Sequence, residues 1–424
     1  MRAHLSTSLI TIRNLGILAH VDAGKTTVTE RMLYLTGATY KRGEVHDGTT
    51  VTDFDSQERD RGITIFAAAV SCDWDGHRIN LIDTPGHVDF SDEVERSLRV
   101  LDGAIAVFDG VAGVEPQSES VWRRADRYGV PRIAFVNKLD RAGADLDAAV
   151  ESIRQKLHPA PLVVQLPIGR EDGFTGVVDL LRMRALVWTG GAYDRRPVPD
   201  DLLAEARRRR RLLEETVAEL HPGALEEFCA EPSISAETLA AALRDLTRTG
   251  AGVVVLCGSA YRDRGIEPLL DAVVAYLPSP LDVPAVRGEH DGAEQERAAD
   301  PAAPLAALVF KVSSTATGRL TYLRVYSGTM RKGTRCWTPA LGVPSGSAGS
   351  CGCRPTGTPR WTWRPPGTSS RWSGPRRPAP GPPCARRTRP WCWSRRARPT
   401  RSSPWRSRRA GAPTPTGSRP RWRG

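Results

Sequence analysis

No stretch of these 424 residues approaches the about 18 to 20 consecutive apolar residues that a membrane-spanning helix needs. The opening MRAHLSTSLITIRN has neither a long apolar core nor a small-residue cleavage signal. No secretory leader is therefore expected, and the cytoplasm is the default location. Cysteine is sparse and unpatterned. Cys72, Cys229 and Cys257 are scattered, while Cys336, Cys351, Cys353, Cys384 and Cys392 lack the two-residue spacing of a zinc half-site. That pattern argues against a cysteine-bound metal and favours isolated thiols in a reducing compartment.

The most informative absence is local. From Val343 to Gly424 there is no Leu, Ile, Met, Phe, Tyr, Asp, Glu, Lys, Asn or Gln, and Val343 is the only branched aliphatic residue. The same segment holds 19 Arg and 7 of the chain's 11 Trp among dense Pro, Gly and Ser. Nothing in it can bury a core, so disorder is expected over 343–424. The net charge of +12 originates there, because residues 1–342 carry 41 basic and 48 acidic residues, a net of −7. Composition thus gives the folded body no basic nucleic-acid face, and no DNA partner is expected.

The first 342 residues alternate strand and helix signals. IRNLGIL (12–18) reads as a buried strand, and TVTERMLYLTGA follows with helical apolar spacing at Val28, Met32 and Leu35. Residues 38–62 form a long polar loop, the kind that is often functional. Ile63–Cys72 and His77–Ile82 read as strands joined by DWDG. GAIAVFDG, PRIAFVNK and AGVVVLCGSA read as strands, with helices QSESVWRRADRYG, DLDAAVESIRQKL and IEPLLDAVVAYLP between and after them. The order predicts an α/β domain over 1–287, a mostly parallel sheet with helices on both faces. An α+β subdomain is inserted at about 160–250. Residues 288–303 read as an exposed linker. Residues 304–342 carry turn-punctuated β patterns that predict the start of a β-barrel, incomplete in this chain.

Four motifs in chain order carry chemistry. AHVDAGKT, residues 19–26, fits a phosphate loop with Ala19 in place of the usual first Gly. Backbone N–H groups of Asp22, Ala23, Gly24, Lys25, Thr26 and Thr27 at a helix start are suited to phosphate oxygens. Lys25 would reach the β and γ phosphates, and the Thr26 hydroxyl would ligate Mg2+. LIDTPGH, 81–87, ends an apolar strand. Asp83 there suits Mg2+, the Gly86 N–H suits a γ-phosphate, and His87 is placed to orient an attacking water. Thr64 in RGITI is the expected second hydroxyl on the metal when the γ-phosphate is present. NKLD, 137–140, offers the Asp140 carboxylate to the N1–H and amino donors of guanine, a pair that adenine lacks. Asn137 would bond the base edge and the Lys138 stem would lie over the base. Ser259 and Ala260 in GSA would meet the guanine carbonyl. A strand end carries each motif, where open α/β sheets bind ligands.

Residues 12–342 resemble elongation factor G. The resemblance runs through GILAHVDAGKTTVTERMLYLTG, SQERDRGITI, DTPGHVDFSDEVERSLRVLDGAIAVFDGVAGVEPQS, YGVPRIAFVNKLDRAGAD, GFTGVVDLL and LPSPLDVPAV. Release factor 3 and ribosomal protection proteins share the phosphate loop and DTPGH, but GVEPQSESVWRRADRYGVPRIAFVNKLDRAGAD is closer to elongation factor G. The resemblance implies a P-loop GTPase domain, GTP/GDP and Mg2+ as ligands, and GTP hydrolysis stimulated by the ribosome in translocation or recycling. It implies large-subunit rRNA and the stalk protein as partners, the inserted subdomain touching the stalk, and a monomer without membrane association. The Arg207–Arg211 run in that subdomain is either part of this contact or a solvated helix face.

At Val343 the resemblance stops. The tail is either an Arg- and Trp-bearing RNA-binding extension or a shifted reading frame. Back-translated mostly with G- or C-ending codons and read one base out of step, WTWRPPGTSSRWSG (361–374) can give VDVAAAGDIVAVVG, provided that a G precedes the Trp361 codon and the Thr368 codon ends in A, and this is a strand-like sequence of the family's second domain. PWCW (390–393) becomes AVVL. The single Trp codon constrains the exercise, and the shifted frame is the expectation. A base missing at the Gly342 codon on resequencing is the expected result. An intact frame, with the tail seen by mass spectrometry, would restore the RNA-binding reading.

Overall fold

The computed structural model describes residues 8–40, 42–43, 50, 68–84, 91–231, 233–290, 293–315, 318–330, 335–338, 343–346 and 369–373. The first half runs β1 (Ile12–Ala19), α1 (Lys25–Leu35), β2 (Ala68–Trp74), β3 (His77–Asp83), α2 (Ser91–Leu98), β4 (Gly103–Asp109), α3 (Pro116–Arg127), β5 (Arg132–Asn137) and α4 (Leu146–Lys156). Then come β6 (Pro161–Val163), β7 (Gln165–Ile168), β8 (Gly176–Asp179), β9 (Arg184–Trp188), β10 (Tyr193–Pro197), α5 (Asp200–Leu220), α6 (Pro222–Ala230) and α7 (Ala236–Thr249). β11 (Val253–Cys257) and α8 (Ile266–Tyr276) complete the α/β part.

Seven strands form one sheet in the order β2-β3-β1-β4-β5-β11-β6, parallel except for the β2–β3 hairpin. Strands in such a sheet are buried on both faces, and every residue of β1, β4 and β11 is buried. Alternate side chains feed two cores. On β5, Ile133 and Phe135 join Val28, Met32, Leu269 and Val273 on one face. Ala134 and Val136 join Phe108, Trp122, Val150 and Ile153 on the other. Local chemistry sets the helix ends: Asp145 accepts from the N–H of Asp147 and Ala148 to start α4, and Gly250 at φ 72° ends α7. The strand order reverses at β1, so the crevice for a ligand lies off its carboxyl end.

Polar side chains also run through the middle of this sheet. Asn14 and Asn80 lie opposite each other in the β1–β3 register. Ser71 Oγ donates to Asn80 at 2.8 Å, Asn80 Nδ2 to Asn14 at 2.8 Å, and Asn14 Nδ2 to Asp102 at 2.7 Å. The asparagines and Asp102 are buried, so each amide needs the partner it has.

The inserted subdomain is a β10-β9-β8-β7 antiparallel sheet with α5, closed over Leu166, Val178, Leu180, Val198 and Ala206. Within its expected span of about 160–250, parts of the chain also meet the main domain. β6 pairs in parallel with β11, and Leu239, Leu243 and Leu246 of α7 pack into the main core. The Arg207–Arg211 run is mostly occupied internally. Arg208 and Arg209 pair with Glu205, Arg209 also with Asp147, Arg210 with Glu214, and Arg211 with Glu215.

The linker expected at 288–303 contains instead a hairpin of β12 (Val286–His290) and β13 (Ala293–Arg297). The next part contains β14 (Ala306–Thr315), β15 (Gly318–Ser327), β16 (Arg335–Thr338), β17 (Val343–Gly346) and β18 (Ser369–Ser373). β14, β15 and β18 form one antiparallel sheet, β16 and β17 another. β17 and β18 depart from the disorder expected over 343–424; the rest of that segment lies outside the described residues. Phe310 and Tyr322 pack with Val94 and Leu98 of α2. Arg324, buried, donates from Nη2 to both oxygens of Asp102 at 2.8 Å and from Nη1 to the Val100 carbonyl at 2.8 Å.

Candidate nucleotide site

The β1–α1 turn sets the site. Asp22 and Gly24 have φ of 65° and 92°, a left-handed geometry that Gly24 adopts at no steric cost. A Cβ on Gly24 would lie 2.4 Å from Asn137 Nδ2, so the end of β5 closes on the phosphate loop at a point only glycine fits. Lys25 opens α1, with Thr26 and Thr27 half-buried in its first turn. Here the helix N–H groups lack intrahelical acceptors and the helix dipole favours an anion.

Register brings the second motif alongside. Ile17 on β1 is level with Asp83, the last residue of β3. Lys25 Nζ donates to Asp83 Oδ1 at 2.6 Å, both groups being buried. Together they offer a phosphate its cation and a divalent ion its carboxylate. Among the described residues no three His, Cys, Asp or Glu side chains cluster as a metal cage. A site of one carboxylate and one hydroxyl suits Mg2+, which keeps water and substrate phosphates among its ligands. The donors Asp83 and Thr26 fit that ion.

The third and fourth motifs are joined to the first by Asn137. Its Nδ2 donates to the Ala23 carbonyl at 2.9 Å, and its Oδ1 accepts the Ala260 N–H at 2.9 Å. Leu139 N–H donates to the Gly258 carbonyl at 3.1 Å. Lys138, at φ 66°, sends its ammonium to Asp109 Oδ2 at 2.7 Å and to the Asp22 carbonyl. Asp140 is close to Arg262 Nε, at 3.6 Å, with only 11% of its side chain exposed. Ser259 and Ala260 are fully buried, and Ser259 exchanges backbone hydrogen bonds with Arg264.

The structure therefore brings together Asp22, Ala23, Gly24, Lys25, Thr26, Thr27, Asp83, Asn137, Lys138, Asp140, Ser259 and Ala260. Thr64, Gly86 and His87 lie outside the described residues. Some participants were not anticipated. Asp109, at the end of β4, holds Lys138. Burial alone would raise its pKa, but the Lys138 ammonium and the N–H groups of Val111 and Ala112 outweigh that and lower it. His20, buried behind the loop, is 3.2 Å from Ser118 Oγ and 3.6 Å from Glu115, while Gln117 accepts the Val21 N–H. Burial lowers the His20 pKa against the pull of Glu115 and Asp109. The one sequence signal for Asp109 is an acidic residue closing an apolar strand.

These features define a guanine-nucleotide-binding P-loop domain, and the sequence profile of the elongation factor Tu GTP binding domain matches residues 10–279. The chain belongs to that family. It is similar to elongation factor G 2 of Streptomyces coelicolor, 81% identical over 331 residues, spanning 78% of this chain and 48% of the relative. It is also similar to elongation factor G of Thermotoga neapolitana, 53% identical over 337 residues, again spanning 78% and 48%. The crystal structure of ttk003000868 from Thermus thermophilus superposes with a TM-score of 0.73 at 28% identity, covering 87% of this chain and 55% of that one. The chain thus spans about half the length of the relatives it matches. Among the described residues no helix is long and apolar enough to cross a membrane.

Proposed function

We propose that this chain binds GTP and GDP with Mg2+ and, as the GTPase part of an elongation factor G-like protein, hydrolyses GTP on the ribosome in translocation or recycling. The observation that carries the nucleotide reading is Asn137, which clamps the phosphate loop and the guanine loop to one strand end. The Lys25 ammonium binds the β and γ phosphates, and Thr26 and Asp83 hold Mg2+, joined by Thr64. Held there, Mg2+ would supply positive charge beside the phosphates where negative charge builds during transfer. The Asp140 carboxylate selects guanine, and His87 orients the water. The large-subunit rRNA and the stalk protein are the partners, reached from the cytoplasm by a monomer.

Thermal melts of the chain with GDP plus Mg2+ test the first part. At a hundredfold excess over Kd, binding adds about 2.7 kcal/mol, so the melt moves up with GDP and stays put with ADP. No shift, or an equal shift, sinks the nucleotide assignment. For the second part, His87→Ala is expected to keep GDP binding and to lose most ribosome-stimulated phosphate release. Unchanged turnover removes His87 from the role. Because the chain spans about half of each relative, a nucleotide-binding product without ribosomal turnover is the second reading. Ribosome-stimulated phosphate release by the unaltered chain separates the two.

A further inference from the structure

The turn between β7 and β8 of the inserted subdomain lies against both segments proposed to read guanine. Glu171, at φ 51°, holds a backbone conformation that residues other than glycine seldom adopt. Its Oε1 accepts the N–H of Gly143, shortly after Asp140, at 2.8 Å. Phe174, fully buried, accepts on its carbonyl from Arg264 Nη1, and Arg264 exchanges backbone hydrogen bonds with Ser259. Asp172 Oδ1 accepts from Arg262 Nη2 at 3.0 Å. Arg262 in turn stands between the insert and Asp140. Its N–H donates to Ser259 Oγ at 3.2 Å, and its Nε lies 3.6 Å from Asp140 Oδ2. At that distance the guanidinium attracts the carboxylate without taking up one of its acceptor positions.

We propose that Arg262 is a positioning residue for guanine: anchored by Asp172 of the insert, it turns the Asp140 carboxylate to meet the exocyclic amino group as well as N1–H. This deepens the guanine reading and rests on it. The β7–β8 turn is then a wall of the base pocket, tied to the segments that follow NKLD and GSA. The division of labour is physical. Arg262 orients the carboxylate by charge, and both oxygens keep lone pairs for the base. A carboxylate released from that pull can rotate, keeping one donor of the base and losing the other. The loss therefore falls on the amino group, the feature that separates guanine from hypoxanthine.

The test follows displacement of fluorescent mant-GDP from the full chain with Mg2+, by GDP and by inosine diphosphate, which lacks the amino group. The unaltered chain is expected to prefer GDP. In Arg262→Ala that preference narrows about fivefold, the upper end for a partly exposed ion pair. GDP weakens while inosine diphosphate hardly moves. Asp172→Asn, at an exposed position, acts in the same direction by about twofold and adds nothing on top of Arg262→Ala. It decides the matter if Arg262→Ala does not fold. Equal weakening of both diphosphates reports a loosened pocket and overturns the positioning role, as does an unmoved preference in whichever variant folds. Either result leaves the nucleotide site standing. An unaltered chain that takes the two diphosphates equally overturns the reading of Asp140, and this inference with it.

Discussion

Asp140→Asn is expected to cost roughly a thousandfold in GDP affinity, about 4 kcal/mol, and to transfer the preference to xanthosine diphosphate. In the proposed reading the carboxylate would accept from both guanine N1–H and the exocyclic amino group. An amide retains one acceptor and turns a donor toward the other donor, leaving both groups unpaired in a desolvated place. Xanthine carries a carbonyl where guanine carries the amino group, so it accepts that amide N–H while its N1–H still donates. The surrounding frame does not change, since Leu139 remains bonded to Gly258 and Asn137 to Ala260. Competition of the two diphosphates for the variant measures the effect. A variant that still prefers GDP would remove Asp140 from base recognition.

Arg324→Met is expected to destabilise the chain by about 3–5 kcal/mol, the range for breaking a buried ion pair from one side. Arg324 and Asp102 are 1% and 5% exposed, and truncation leaves the carboxylate with Asn14 as its remaining side-chain donor. The pH dependence follows from Asp102. Burial raises its pKa, against the lowering influence of Arg324 and the hydrogen bond from Asn14. An acid whose folded pKa is raised binds its proton more tightly when folded, so its contribution to stability falls as pH rises from the ordinary carboxylate range through the folded value. Removing Arg324 lifts that value further. The deficit of Arg324→Met should therefore be largest near neutral pH and shrink on acidification, and adding Asp102→Asn should recover part of it at neutral pH. Thermal melts across pH give the answer. A variant melting with the unaltered chain at neutral pH would mean the pair contributes nothing.

Much of the proposed site stands out in the sequence because its motifs are short contiguous segments at strand ends, where motif and local structure coincide. Lys25, Asp83, Asn137 and Asp140 stand out for that reason. Asp109 does not, because it acts on a residue far along the chain, Lys138. No periodicity reports such a contact. The β12–β13 hairpin was hidden by its own polarity. Asp291-Gly292 is a hairpin signal, but VRGEH and AEQER contain only one Val and one Ala among charged and polar residues, so composition read as linker. The outer limits of the insertion carry no sharp sequence signal either. β6 is three residues long, too short for a pattern, and only its pairing with β11 assigns it to the main sheet.

The paired amides inside that sheet have a consequence for assembly. Asn14 faces Asn80 three residues before Ile17 comes level with Asp83. Sliding β3 by one residue would move Asp83 by about 3.3 Å, beyond reach of Lys25, and would strand two buried amides without mates. Misthreading and loss of ligand binding thus arrive together. A molecule that holds its nucleotide has already passed an inspection of how its strands were laid down.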